Sequence, residues 1–183
     1  MNKTRLTTTT MAIAVLTLSA CGSAEQPSAD QEKTVSLTAS YPEAYKTLDD
    51  LVASSDAIVL GSVVGSSPAT PVDGLPFTNA DVQVKTWLKQ DGEYSDIITI
   101  HQTGGVLEGV NYVSDEDPLL QIGETEVFYL KKIPEGYMTV GGPTGRLNVL
   151  GNKVEKFPES TLAETLPVEL PAVLRTTTNI AGK

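Results

Sequence analysis

A few residues in this chain could do chemistry. Cys21 carries the only thiol, whose thiolate would serve as a nucleophile or a soft metal ligand. His101 is the only histidine, and so the only imidazole available for general base work near neutral pH. Asp115-Glu116-Asp117, with Glu124 shortly after, offers hard oxygen ligands of the kind a calcium ion takes. Gly141-Gly142-Pro143-Thr144-Gly145-Arg146 has the glycine density that lets a backbone wrap an anion.

Each group also has a plain reading. The glycine run lacks the Lys-Ser/Thr ending of a phosphate loop, leads toward a strand, and loses a backbone donor at Pro143, so it is expected to be a turn between strands. Arg146 is expected to pair with a carboxylate there. The acidic run lacks EF-hand spacing, so a solvated acidic loop competes with a ligand or ion loop of Asp115, Glu116, Asp117 and Glu124. His101 sits beside Ile100 in an alternating segment, which fits the outer face of a strand. No G-x-S-x-G elbow surrounds a serine, so no nucleophile and base pair is visible. One histidine without a free cysteine makes no zinc or copper set, and no metal or cofactor is expected. Paired carboxylates for hydrolysis remain open among 23 acidic residues, but no spacing singles out a pair.

The elements that must position these groups begin with a leader. Lys3 and Arg5 precede an apolar or small, uncharged run from about Thr7 to Leu18, shorter than the ~18–20 residues that span a bilayer. That pattern predicts a secretory signal over residues 1–20. Leu18-Ser19-Ala20-Cys21 then resembles the lipobox of bacterial lipoproteins. The resemblance implies cleavage between Ala20 and Cys21 and a diacylglyceryl group on the Cys21 thiol, with further acylation of the new amino terminus. Two or more acyl chains such as palmitate make a lasting tether where one is marginal, so the partner implied at this end is the lipid bilayer. The protein is expected to be exported and held on the outer face of the cell membrane, or in an outer membrane where the organism has one.

Loss of the leader leaves 11 basic against 23 acidic residues, which moves the net charge from -10 to -12. Such a balance argues against a nucleic-acid partner, which needs a basic stripe. With Cys21 modified no disulfide is available, so the body must be stable through its core. Residues 21–34 are small and polar and read as a lipidated flexible tether. Residues 35–183 then suffice for a single β-rich domain.

Within that domain Tyr41 to Val52 predicts a helix, with Pro42 in the first turn and Tyr45, Leu48, Leu51 and Val52 on one face. Ala57 to Gly65 is short and β-branched, as a buried strand is. Ser66 to Leu75 predicts a loop. Phe77 to Lys89, with an irregularity near Asn79, and Asp96 to Thr103 predict a hairpin across Gln90 to Glu93. Gly104 to Ile122 predicts a long polar loop. Thr125 to Ile133 and Tyr137 to Val140 follow as strands, and Gly151-Asn152 signals a hairpin between Arg146 to Leu150 and Lys153 to Phe157. A short helix is expected near Val168 to Arg175. The fold expected is mainly β, a small antiparallel barrel or sandwich with one N-terminal helix and a short C-terminal one.

Ser55 to Val63, Val84-Lys85-Thr86-Trp87-Leu88-Lys89, and Leu120-Gln121-Ile122-Gly123-Glu124 leading into Val127-Phe128-Tyr129-Leu130 loosely resemble a group of bacterial exported domains. More remotely they are similar to the netrin-like and metalloproteinase-inhibitor barrels of OB type. The likeness covers about residues 50–133 and implies an OB-like barrel. Those inhibitors rely on disulfides and, in some members, on a free amino-terminal cysteine that chelates zinc. Here no disulfide can form within the monomer and Cys21 is lipidated and remote, so that chemistry does not carry over. The expected function is a non-catalytic, membrane-anchored binding module. Its ligand would be an envelope protein, peptide or glycan, bound beside the Gly104 to Ile122 loop and the Gly141 to Arg146 turn. The alternative is a carboxylate-dependent hydrolase acting on envelope material.

Overall fold

The computed structural model describes residues 33–38, 41, 44–90, 92, 94–163 and 165–183. The signal segment, Ala20, Cys21 and most of the expected tether lie outside the described residues. Residues Glu32–Lys183 make up one compact unit. Among the described residues no helix is long and apolar enough to cross a membrane.

Helix α1 (Leu48–Ser54) is preceded by strand β1 (Lys33–Ser36) and followed by β2 (Ala57–Ser66), β3 (Thr70–Val72), β4 (Leu75–Lys89) and β5 (Ile97–Thr103). Next come β6 (Gly105–Leu107), β7 (Val110–Val113), β8 (Thr125–Ile133), β9 (Gly136–Thr139), a 3-10 turn at Gly142–Gly145, β10 (Arg146–Leu150), β11 (Lys153–Lys156) and α2 (Leu170–Ala181). The large sheet runs β11-β10-β8-β2-β4-β5-β9, and β9 pairs back onto β8. That return closes β8, β2, β4, β5 and β9 into a five-stranded barrel, with β9 parallel to β5 at Ile100↔Tyr137 and antiparallel to β8. The protein is therefore mainly β, a closed small barrel consistent with the OB type, with extra strands and two helices.

The continuous apolar run of β2 has a simple cause: both of its faces are buried. Ala57, Val59 and Val63 join Val82, Ile98, Ile100, Phe128 and Leu130 in one apolar cluster. Ile58 and Leu60 point the other way, into a second cluster with Leu48, Leu51, Val52, Tyr129, Leu147 and Val173, which the two helices cover. Phe128 and Tyr129 on β8 divide between the two clusters in the same alternation. Tyr129 and Thr177 share a buried hydrogen bond of 2.9 Å between their hydroxyls, which ties β8 to α2.

Several elements depart from expectation. Helix α1 starts at Leu48, not near Pro42, because the Thr47 hydroxyl accepts from Asp50 N at 3.2 Å and caps the helix there. Its carboxyl end has no basic residue of its own. Lys89 on β4 supplies one, donating to the carbonyls of Val52 (2.8 Å) and Ser55 (2.7 Å). The expected loop at Ser66 to Leu75 contains β3, which turns into β4 at Asp73-Gly74, both with positive φ. The expected loop at Gly104 to Ile122 folds its first part into the β6–β7 hairpin, turning at Glu108-Gly109. Strand β1 joins that hairpin, so chain order begins to pair at Lys33, inside the expected tether. Asn79 pairs regularly with His101; the register shifts of β4 lie on its β2 side. Helix α2 runs on to Ala181, past Arg175, since Val173 and Thr177 are both buried on its packed side.

Candidate functional site

The sheet register assembles one buried charged node. Arg146 stands opposite Phe128, and Asn148 opposite Glu126, so Arg146 and Glu126 are diagonal neighbours on one face of the β8–β10 pair. Gly61 lies opposite Glu126 on the other side, with no side chain to crowd it. Arg146 Nε donates to Glu126 Oε2 at 2.9 Å and its Nη2 to Oε1 at 2.8 Å, a two-pronged fork. Its Nη1 donates to Asp117 Oδ1 at 2.9 Å and to the Pro118 carbonyl at 2.6 Å. The Phe157 ring lies 4.6 Å from the guanidinium carbon, within cation–π range. The side chains of Arg146 and Glu126 are each 1% exposed.

Burial lifts the Glu126 carboxyl above its usual value, and the fork from Arg146 pulls it back toward ionisation. Burial also works against the Arg146 charge, but Glu126 and Asp117 outweigh it and hold the guanidinium protonated more firmly than usual. The node thus fastens the segment after β7 to the barrel. Gln102 adds a second clamp, its Oε1 accepting from Leu120 N at 2.8 Å. Tyr41 donates its hydroxyl to Asp117 Oδ2 at 2.9 Å. Burial and the neighbouring Asp117 carboxylate push that phenol well above its ordinary pKa.

The acidic residues singled out by sequence do not converge on one point, although Asp115 and Glu124 border the same cleft. Asp117 turns inward to Arg146, while Asp115 and Glu116 are exposed. Glu124 accepts from the backbone of Gln121 at 2.8 Å, a local turn contact. Among the described residues no three His, Cys, Asp or Glu side chains form a group able to hold a metal ion. His101 is half-buried, and its Nε2 is 3.0 Å from the Glu135 carbonyl. The glycine run forms the 3-10 turn that delivers Arg146 to its place. Sequence reasoning anticipated a carboxylate for Arg146 but not which one. The available signal was Glu126 itself, an acid directly before the buried run Val127 to Leu130.

Two clefts flank the clamped segment. One, of about 620 Å³, is lined by Ser66 to Ala69, Thr78, Val106, Asn111 and Leu119 to Ile122. The other, of about 470 Å³, is bordered by Asn111 to Asp115, Glu124, Arg146 and Phe157. Their walls are mixed, with hydroxyl, amide and carboxylate groups beside aliphatic and aromatic surface. Such walls suit recognition of an amphipathic ligand. The fold and site together define a small closed barrel with a salt-bridged loop segment over one part of its surface. No protein-family profile matches this chain, and no curated protein is significantly similar to it in sequence.

Proposed function

We propose that this protein is an exported bacterial lipoprotein, held at the outer face of a membrane by acyl chains on Cys21, whose barrel is a non-catalytic binding module. A relationship to netrin-like exported barrels belongs to the same reading. The lipobox residues Leu18 to Cys21 support the location. The observation that carries the binding role is the clamped segment between β7 and β8, which the Arg146 node fixes beside two mixed-polarity clefts. A rigid loop with formed clefts is pre-organised for binding. A carboxylate-dependent hydrolase would need an acid free to exchange a proton with substrate. Glu126 is the desolvated carboxyl that could be considered, but Arg146 engages both of its oxygens.

The test places a photo-crosslinking side chain at Ile122, 68% exposed on the rim of the larger cleft, in membrane-bound protein. A second sample carries it at Leu150 in the β10–β11 hairpin. The reading expects a defined envelope adduct from the first position and not from the second. Equal adducts at both, or none at either, would overturn it.

A further inference from the structure

Strand β1 is joined to the rest of the protein in an unusual way. It pairs parallel with β7 over Lys33↔Val110 to Ser36↔Val113, and of its residues only Val35 is partly buried. Apolar burial therefore does little to hold it. Beyond the strand, Leu37 N donates to the Val113 carbonyl at 2.7 Å. Tyr41 then docks into a receptor built by the barrel. Its ring lies over Gly142, where φ is +57° and a Cβ would collide with the ring. Its hydroxyl reaches Asp117, whose other oxygen is fixed by Arg146. The rest of the β6–β7 ribbon is a two-stranded hairpin with short strands, marginal on its own.

We infer that the edge of β7 is a strand-accepting site for an extended peptide segment of a partner protein, closed here by the chain's own β1 and latched by Tyr41. The seated β1 shows what fits: a short extended segment in parallel register, with one apolar residue at the Val35 position and no demand for charge. Recognition would come mainly from the main chain, as in other strand additions. Release has a second consequence, which rests on the lipid anchor proposed for Cys21. With β1 seated, the chain from Cys21 to Lys33 can reach roughly 40 Å; with it free, the chain from Cys21 to Tyr45 can reach roughly 80 Å, at about 3.4 Å per residue. The open form would thus combine a free edge with about twice the reach from the bilayer.

The latch is tested first without lipid, in the full chain carrying Cys21→Ser. Amide hydrogen exchange of β1 should be at least tenfold faster than that of β2 and β8, and Tyr41→Ala should remove its remaining protection while leaving β2 and β8 unchanged. Tyr41→Phe, which keeps the ring, should fall between. A peptide of residues 32–41 is the binding probe. It should bind the Tyr41→Ala protein at least tenfold more tightly than the parent, and Val113→Pro in the same background, which removes a main-chain donor on the β1-facing side of β7, should abolish that gain. Protection of β1 equal to that of β2, or equal peptide binding to parent and Tyr41→Ala protein, would overturn the inference. On vesicles, energy transfer from the barrel to a bilayer dye should fall in Tyr41→Ala. Absence of lipid on Cys21 would defeat the anchor reading alone, because exchange and peptide binding decide the latch independently.

Discussion

Removing the guanidinium of Arg146 should be among the most damaging single changes to this fold. Arg146→Met keeps the apolar stem of the side chain and deletes its four hydrogen bonds, to Glu126 Oε1 and Oε2, Asp117 Oδ1 and the Pro118 carbonyl. Glu126, 1% exposed in the parent, is then left with a carboxylate that must either stay charged without a partner or take up a proton. Breaking a buried pair from one side typically costs about 3–5 kcal/mol. For a domain of this size each kcal/mol moves the midpoint by about 2–4 °C, so a loss of roughly 6–20 °C is expected. Thermal and urea unfolding of Arg146→Met, Glu126→Leu and the double variant form the cycle. The double variant should be clearly less unstable than the two single losses added together, since it leaves no orphan charge in the pair. A single Arg146→Met within about 1 kcal/mol of the parent, or strictly additive losses, would refute the reasoning.

Other predictions follow from single contacts. Thr177→Val strands the buried Tyr129 hydroxyl and should cost about 1–3 kcal/mol in urea unfolding, with Thr177→Ser close to the parent. Lys89→Met removes the cap on the last carbonyls of α1 and should lower stability by about 0.5–2 kcal/mol, with the first loss of amide protection in α1. Asp56 is held below its usual pKa by the Lys131 side chain and by Lys132 N. A carboxyl whose folded pKa is depressed adds stability above its unfolded value of 3.8 and loses it as the pH falls through the lower folded value. Asp56→Asn should therefore cost up to about 1 kcal/mol at neutral pH, and parent and variant should converge in acid unfolding curves well below pH 3.8.

What the sequence disclosed depended on how local each cause was. Strand β2 was readable because burial on both faces leaves an unbroken β-branched run, and the Gly151-Asn152 turn because its conformation is set by the turn residues themselves. Asp73-Gly74 carried the same kind of signal inside a stretch whose prolines suggested only loop. The last part of α2 ran against local preference, since Thr176-Thr177-Thr178 is β-branched and weak in helices. There tertiary packing of Thr177 against Tyr129 prevails. The pairing of β1 with β7 and of Arg146 with Glu126 needs the sheet order, which no local pattern contains. Asp117 was noticed for its charge among acidic neighbours, but its role comes from an arginine that the next strands bring to it.

Cys21, which lies outside the described residues, decides where the barrel works. The most direct test is intact mass spectrometry of the mature protein purified from membranes of a bacterial cell. The prediction is an amino terminus at Cys21 carrying a diacylglyceryl group, with Cys21→Ser released from the membrane fraction. A mature chain beginning elsewhere, or an unmodified Cys21 thiol in protein that still sediments with membranes, would contradict it.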